Sequence, residues 1–329
     1  MDATYDAWAG PTVGELGELA VLDRITSRLP TGSPLLGPGD DCAVVAAPDG
    51  RFVVTTDMMV HGPDFRWAWS SPEDVGWKAA ATNLSDVAAM GAAPSGLVIA
   101  LAAPQATPVA VLEGIADGFR LAVDALAPGC GVVGGDLSTS ATFTVAVTAF
   151  GDLGGRAPVL RSGARVGDVV AVSGELGRAA RGLARLFRDG VDHQGEPDRA
   201  ATVASGADAD PDVDRQRRPV PPIADGPRAA VAGATAMLDL SDGLAIDAGR
   251  LARASRVTLL LEVDLDEVAL HGGEDHGLLA TFPADAALPG GFRRIGVVRD
   301  RGDADLLRAG APVPTTGWDP YADWDGAAG

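Results

Sequence analysis

Residues 72–92 read PEDVGWKAAATNLSDVAAMGA, and this stretch predicts a helix with polar groups on an otherwise small, apolar surface. Pro72 suits the first turn of such a helix, and Gly91 suits the residue just past its end. Asn83 and Asp86 are three residues apart, so they share one helical face. A carboxylate among alanines is costly to bury without a partner. The alternative to a functional Asp86 is a buried salt bridge, but Lys78 is too far along the helix to be its obvious mate.

Five further acidic motifs are spread along the chain, most of them beside glycine. They are GDD (39–41), TTD (55–57), GGD (134–136), DLSD (239–242) and GGED (272–275). Carboxylates on tight loops suit Mg²⁺, which takes oxygen ligands and is usually shared between protein and phosphate. The chain has no G-x-x-x-x-G-K-[ST] phosphate loop. Any nucleotide binding is therefore expected to depend on metal ions.

Each of these motifs also has a purely structural explanation. The DLSD motif falls where an apolar strand gives way to a helix, and a helix N-terminus suits phosphate. Ser241 or Asp242 could equally cap that helix. A lone Gly-Gly-Asp is more often a turn, and adjacent aspartates usually solvate a loop. The four histidines show no metal-ligand spacing.

Composition limits the classes of function. A net charge of −19 and a pI near 4.4 argue against general nucleic-acid binding, which needs a basic face. No apolar run approaches the roughly 18 residues of a membrane span, and the N-terminus lacks the pattern of a signal peptide. Cys42 and Cys130 form no C-x-x-C pair, which favours a reducing cytoplasm. All basic residues but Lys78 are arginine.

Strands mixed with helices in both halves predict an α/β (α+β) fold with two domains. Residues 151–165 are rich in turn formers, which places the boundary between domains 1–155 and 156–329. The Gly-Gly-Asp motif is interpreted as a loop before a strand at 142–150. Residues 189–226 are rich in Asp, Pro, Gly and Arg with little periodicity, so we expect a mobile loop there, with disorder near 195–215.

Taken together and in order, the motifs resemble the thiamine-monophosphate kinase family of the aminoimidazole-ribonucleotide-synthetase-like ATP-binding superfamily. The matching segments, between about residue 14 and about residue 322, include GDDCAVV, TTDMMV, GWKAAATNLSDVAAMGA, GVVGGD, LDLSDGL and GGEDHGLL. The resemblance implies transfer of phosphate from ATP to thiamine monophosphate, giving thiamine diphosphate and ADP. It also implies a homodimer whose N-terminal domains pair across a shared β-barrel, each followed by a C-terminal α/β domain.

The resemblance assigns site residues by motif. The Mg²⁺ ligands would be Asp41, Thr55, Thr56, Asp57, Asp86, Asp136, Asp239 and Asp242. ATP would contact Thr55, Gly135, Asp136, Arg161 and Ser241, and the thiamine moiety would contact Asp64, Glu274 and Tyr321. No general base or nucleophile is assigned, because the attacking phosphate oxygen is already ionised at neutral pH. The difficulty is bringing two polyanions together, which calls for positioning and charge neutralisation.

The chain departs from the family pattern mainly on the substrate side. Asp64 stands where the family usually has His, Leu137 replaces a hydroxyl residue, and His276 stands where Tyr is usual. The segment between Val263 and Gly272 is shorter than the family norm. These departures motivate one alternative, an ATP-dependent enzyme with another phosphate acceptor. A non-catalytic nucleotide-binding relative is a second, although retention of nearly every carboxylate speaks against it.

Overall fold

The computed structural model describes residues 8, 10–30, 32–35 and 45–317. No helix in these ranges has both the length and the apolar character needed to cross a bilayer. The strands are β1 (Val53–Val60), β2 (Ala93–Ala103), β3 (Val132–Thr139), β4 (Thr144–Asp152), β5 (Val169–Ser173), β6 (Ala236–Leu240), β7 (Thr258–Leu261), β8 (Gly277–Phe282), β9 (Arg293–Arg299), β10 (Leu306–Arg308) and β11 (Ala311–Pro312). The helices are α1 (Val13–Leu16), α2 (Glu18–Thr26), α3 (Pro72–Ala89), α4 (Val109–Leu126), α5 (Arg178–Asp189), α6 (Arg199–Ala204), α7 (Pro211–Arg217), α8 (Asp225–Val231), α9 (Leu244–Ser255) and α10 (Glu267–His271), with a 3₁₀ turn at Ala207–Ala209.

The described strands form two sheets, which divide the chain into an N-terminal and a C-terminal part. The first sheet has the order β1-β4-β2-β3, and the second has the order β11-β10-β7-β9-β5-β8-β6. Helices accompany both sheets, so the predicted mixed α/β class is confirmed. The first sheet ends at Asp152 and the second begins at Val169. The boundary between residues 155 and 156 falls in the connecting segment and stays a prediction.

Helix α3 is fixed at its start and packs closely against α4. The Ser71 hydroxyl accepts from the Asp74 N–H while the Asp74 carboxylate accepts from the Ser71 N–H, which forms a capping box. A Cβ on Gly76 would lie 2.1 Å from the Ile115 carbonyl oxygen, and one on Gly118 would lie 2.2 Å from that of Glu73. Glycine is therefore needed where the two helices cross. This crossing holds α3 against the inner face of the first sheet.

The register of the first sheet separates the residues of the TTD motif. Asp57 pairs with Val147, and Val147 pairs in turn with Ile99 on β2; both of these partners are buried. Thr56 belongs to the neighbouring row, where its hydroxyl donates to the Val147 carbonyl at 2.9 Å. Because alternate strand residues face opposite sides, Thr55 and Asp57 face the helices and Thr56 faces the outer side.

The interpretation of Gly-Gly-Asp as a loop was wrong, because all three residues lie within β3. This strand runs parallel to β2, with Gly135 opposite Ile99 and Asp136 opposite Ala100. A Cβ on Gly135 would lie 2.3 Å from the Ile99 carbonyl oxygen. The glycine thus permits a close strand–strand approach, where the sequence suggested a turn.

The expectation of an irregular loop at 189–226 was also wrong. The segment contains α6, the 3₁₀ turn, α7 and the start of α8. Val213 of α7 and Ala207 bury their side chains with Trp69 and Leu186. Arg178 of α5 pairs with Asp212 at 2.6 Å. Packing against distant residues and ion pairs stabilise these short helices, and neither leaves a periodic pattern in the local sequence.

Candidate functional site

The polar face of α3 meets the inner side of β1. Asp86 accepts a hydrogen bond from the Thr55 hydroxyl at 2.8 Å, and the Asn83 side-chain oxygen accepts from the Asp57 backbone N–H at 3.1 Å. The Asn83 amide also donates to the Ala79 carbonyl at 2.9 Å, which fixes its orientation. The predicted shared face of Asn83 and Asp86 therefore brings the NLSD and TTD motifs together.

Burial and mutual repulsion raise the pKa values of these carboxyl groups. Desolvation, followed by the charges of Asp239 and Asp57, raises the pKa of Asp86 to about 7. Asp57 keeps much of its surface exposed, yet desolvation by the surrounding protein raises its pKa; the charge of His276 opposes this, and the charges of Asp239 and Asp242 add smaller increases. Negative charge is thus concentrated where β1, α3 and the DLSD motif converge.

The DLSD motif places its two aspartates in different surroundings. Asp239 is buried at the end of β6, with its Oδ2 3.5 Å from His276 Nδ1. Asp242 is half-buried and accepts from Arg250 at 2.6 Å. Gly243 occupies the N-cap position of α9, and no side chain donates or accepts a capping hydrogen bond there. The alternative that Ser241 or Asp242 merely caps this helix is therefore not what the structure shows.

The donor set of this cluster fits a hard divalent cation. Asp57, Asp86 and Asp239 offer carboxylate oxygens, and two of them carry raised pKa values that a nearby cation would lower. However, no group of three or more His, Cys, Asp or Glu side chains in the described ranges has the spacing to hold a metal ion as it stands. The carboxylates are therefore electrostatically coupled without being arranged as a closed ligand cage.

Burial alone would lower the pKa of His276, but its interaction with Asp239 and the charge of Glu274 outweigh burial and raise it. A backbone bond from the His276 N–H to the Leu240 carbonyl, at 3.0 Å, holds this residue beside the DLSD motif. The Ser85 hydroxyl of α3 donates to the His276 carbonyl at 3.1 Å. His276 therefore joins the two halves of the site, and its protonated form would place positive charge among the carboxylates.

The GGED loop is held in a conformation that side chains rarely adopt. Glu274 has φ +69° and His276 has φ +52°. Each such residue costs about 1–2 kcal/mol, and strain of this kind is concentrated at functional sites. A Cβ on Gly273 would lie 2.7 Å from the Ser241 carbonyl oxygen, and Asp275 accepts from the Ala179 N–H at 2.9 Å at the start of α5. The strained loop is thus secured from both sides.

Lys78 is a site residue that sequence reasoning missed. Its Nζ lies 2.5 Å from Glu274 Oε1, and its side chain is buried. The two groups are within ion-pair distance but not aligned for a hydrogen bond, so the contact is electrostatic. The signal was present in the composition, since Lys78 is the single lysine of a chain that otherwise uses arginine.

Two residues assigned to the thiamine side line one cavity. Asp64 and Glu274 both border a cavity of about 530 Å³, together with Gly317, the last described residue of the chain. Desolvation raises the pKa of Asp64, whose carboxylate accepts from the Val60 N–H at 2.7 Å. Val60 is three residues along β1 from Asp57, and Glu274 is two residues from His276, which contacts Asp239, so this cavity adjoins the carboxylate cluster.

Other assigned residues do not join this cluster within one chain. Asp136 lies on the opposite edge and face of the first sheet from Asp57, three strand spacings or roughly 14 Å away. The Arg161 carbonyl accepts a hydrogen bond from Ser255, the last residue of α9. Asp242 precedes the first residue of α9, so the length of that helix, roughly 18 Å, separates Asp242 from the Arg161 backbone. Thr56, as described above, faces the outer side of the sheet. Asp41 and Tyr321 lie outside the described residues.

Comparisons with known proteins identify the family of the chain. Residues 39–153 match the family model of the AIR synthase related protein, N-terminal domain. A thiamine-monophosphate kinase from Mycobacterium tuberculosis is 43% identical, over 97% of this chain and 94% of that protein. The chain belongs to the thiamine-monophosphate kinase family.

Solved structures of thiamine-monophosphate kinases share the fold. The enzyme from Stenotrophomonas maltophilia superposes with a TM-score of 0.73 at 30% identity, over 91% of this chain and 98% of that chain. AaThiL complexed with AMPPCP and TMP superposes with a TM-score of 0.69 at 30% identity, over 92% and 97% of the two chains. The predicted family and fold class are therefore confirmed at nearly full length.

Proposed function

We propose that this chain transfers the γ-phosphoryl group of ATP to thiamine monophosphate, with Mg²⁺ held by the carboxylate cluster. One observation carries the proposal: the cluster of Asp57, Asp86 and Asp239 adjoins a cavity bordered by Asp64 and Glu274. A site for metal and phosphate would therefore lie next to a site for an organic acceptor. The related AaThiL, whose structure holds AMPPCP and TMP, supports the same pair of ligands here.

The cavity has the chemistry expected for thiamine monophosphate. Its volume of about 530 Å³ suits a small organic ligand. The thiazolium ring carries a fixed positive charge, which the carboxylates of Asp64 and Glu274 would attract. Trp69 and Phe187 add aromatic surface to the lining. The replacement of the usual His by Asp64 keeps a polar group at this position and adds negative charge facing the cation.

Different residues of the chain would bind the metal and position the acceptor. Asp57, Asp86, Asp239 and Asp242 would hold Mg²⁺, which when bound supplies the positive charge that neutralises two polyanions. Glu274, kept in place by Lys78, would position the acceptor from its thiazolium side. The acceptor oxygen is already ionised at neutral pH, so the site needs to align and shield the phosphates more than to move a proton.

The nucleotide is proposed to use the edge of the first sheet near β3. A cavity of about 650 Å³ is lined there by Gly134, Gly135 and Asp136 and by apolar residues such as Ile99 and Phe119. This lining supports the assignment of Gly135 and Asp136 to ATP. Because Asp136 lies far from Asp57 within the chain, any metal at Asp136 would be a different ion from the one at Asp57.

The homodimer is proposed to form through the outer face of the first sheet. Val54 and Met58 on β1 are 58% and 62% exposed, and exposed Phe52 contacts Phe150 edge to face. No described element covers this apolar face, and such faces mark interaction surfaces. A second copy of the chain is the proposed occupant, as the family resemblance implies. The proposed compartment is the cytoplasm, consistent with Cys130, which is buried as a free thiol.

A panel of phosphate acceptors tests the proposed substrate. The purified chain is incubated with ATP, Mg²⁺ and either thiamine monophosphate, thiamine or selenide, and nucleotide and product are separated by chromatography. We expect ADP formation to depend on thiamine monophosphate and to equal thiamine diphosphate in amount. Efficient ADP formation with another acceptor, and none with thiamine monophosphate, would contradict the proposal.

A further inference from the structure

The cavity that borders Asp64 and Glu274 contains a second group of polar residues that no assignment has used. Gln216 and Ser70 line it and are only 6% and 8% exposed. Among the described residues, neither the Gln216 carboxamide nor the Ser70 hydroxyl has a hydrogen-bond partner. Polar groups on largely buried side chains that face a cavity without a protein partner are available to hydrogen-bond a ligand there.

The surrounding walls are aromatic and fixed in place. Trp69 is buried, and its indole N–H donates to the Gly190 carbonyl at 2.7 Å. Phe187 meets Trp69 edge to face with ring centroids 4.9 Å apart. The Arg66 guanidinium lies over both rings, 4.8 Å and 5.0 Å from their centroids. A flat heterocycle placed beside these rings would gain stacking and exclude water.

Helix α5 sets the separation of this group from the GGED loop. A Cβ on Gly272 would lie 2.5 Å from the Ala180 Cβ, so the first turn of α5 touches the loop that carries Glu274. Phe187 is seven residues further along the same helix, which is roughly 10 Å. The aromatic group therefore lies well away from the carboxylates, toward the end of a ligand that is remote from its phosphate.

We propose that Gln216 recognises the aminopyrimidine ring of thiamine monophosphate, in a subsite formed with Trp69, Phe187 and Ser70; this rests on the function proposed above. The 4′-amino group and the neighbouring ring nitrogen present a donor beside an acceptor. A carboxamide presents the complementary acceptor and donor, the pairing by which Asn and Gln recognise adenine in nucleic acids. Gln216 is thereby a specificity-determining residue for the acceptor.

Binding measurements on a matched pair of ligands test this assignment. Thiamine monophosphate and its 4′-deamino analogue are titrated calorimetrically into the wild type, Gln216→Met and Gln194→Met. Gln194 is exposed on the loop after α5 and serves as the control. We expect the wild type and Gln194→Met to bind thiamine monophosphate about tenfold more tightly than the analogue. Gln216→Met should bind both ligands equally, because the group that distinguishes them is gone.

The outcomes separate the subsite from the reaction. A wild type that makes thiamine diphosphate but does not prefer the 4′-amino ligand, or a Gln216→Met variant that keeps the preference, overturns the subsite and leaves the function intact. A preference that depends on Gln216, without any thiamine diphosphate formed, supports the subsite and refutes the function. Should Gln216→Met fail to fold, Gln216→Glu keeps the shape but cannot donate to the ring nitrogen. This substitution is expected to weaken the binding of thiamine monophosphate about tenfold, and unchanged affinity would overturn the subsite.

Discussion

Lys78 Nζ lies 2.5 Å from Glu274 Oε1, so one ion pair joins helix α3 of the N-terminal part to the GGED loop of the C-terminal part. The lysine is buried and the glutamate is about one-third exposed at the cavity that we assign to the acceptor. The contact therefore orients a proposed substrate ligand. It also links the two halves of the chain across the site.

Replacing Lys78 with Met is expected to weaken acceptor binding selectively. Methionine retains most of the side-chain volume but leaves Glu274 without its counter-charge. The KM for thiamine monophosphate should rise about tenfold, while the KM for ATP should change by less than about twofold. Steady-state kinetics with each substrate varied in turn measures both constants.

A double-mutant cycle with Glu274→Gln supplies the control for this pair. If the ion pair is the cause, the double variant should be no worse than the poorer single variant, because each change removes the same interaction. Fully additive losses would show that Lys78 acts on the substrate by another route.

Asp86 should make the stability of the metal-free protein depend on pH. Its pKa is about 7 in the folded chain and near 3.8 when unfolded, so Asp86 stays protonated to a higher pH in the folded state. Between about pH 4 and about pH 7 the folded state thus binds more protons, and the free energy of unfolding falls as pH rises. Asp86→Asn should remove this slope and raise the free energy of unfolding at pH 7 by roughly 1–3 kcal/mol. Chemical unfolding in EDTA at several pH values measures it.

Magnesium should oppose the same effect in the wild type, because it favours the ionised carboxylate. The stabilisation by Mg²⁺ should therefore grow as pH rises toward 8 and should be much reduced in Asp86→Asn. Asp124→Asn on the exposed side of α4 serves as the control, since its carboxylate is 65% exposed. Equal Mg²⁺ stabilisation in the wild type and Asp86→Asn would argue against a metal at this carboxylate.

The neighbouring threonines of the TTD motif should differ in their effect on metal binding. Thr55 donates to Asp86 at 2.8 Å, whereas Thr56 donates to a backbone carbonyl on the outer side of the sheet. Thr55→Val should raise the Mg²⁺ concentration for half-maximal activity by about tenfold, and Thr56→Val should raise it less. Titration of activity with Mg²⁺ at saturating substrates measures the difference; the opposite order would show that the outer residue is the ligand.

A charge on the outer face of the first sheet should disrupt the proposed dimer. Met58 is 62% exposed, and its substitution by Asp would place a carboxylate in an apolar interface. Sedimentation should then show a monomer where the wild type is a dimer. Val231→Asp, at a residue 73% exposed near the end of α8, should leave the dimer intact. A wild-type monomer, or an unchanged Met58→Asp dimer, would contradict this interface.

The sequence predicted the regular elements well where one pattern dominates locally. The helix predicted within residues 72–92 agrees with α3, because Pro72 and Gly91 favour the bounds that the structure shows, and the strand predicted at 142–150 lies within two residues of β4. Gly135 was misjudged, since its lack of a side chain serves a close approach to Ile99, and tertiary contacts of this kind leave no local signal. Residues 189–226 were misjudged for the same reason.

The site was predicted in part, because motif order identifies residues but not their neighbours. The sequence placed Asn83 and Asp86 on one face, and the structure brings Thr55 and Asp57 to that face. It could not show that Thr56 and Asp136 face away, because this depends on strand register. Gln216 came from a segment interpreted as mobile, so its place in the acceptor cavity became visible only in the folded chain.

The most direct test follows phosphate itself. Purified protein is given ATP labelled at the γ-phosphate together with thiamine monophosphate, and labelled thiamine diphosphate is measured with Mg²⁺ and again with EDTA. The account predicts labelled thiamine diphosphate equal in amount to the ADP formed, and none in EDTA. A protein that binds ATP and Mg²⁺ but transfers no label to thiamine monophosphate would contradict it.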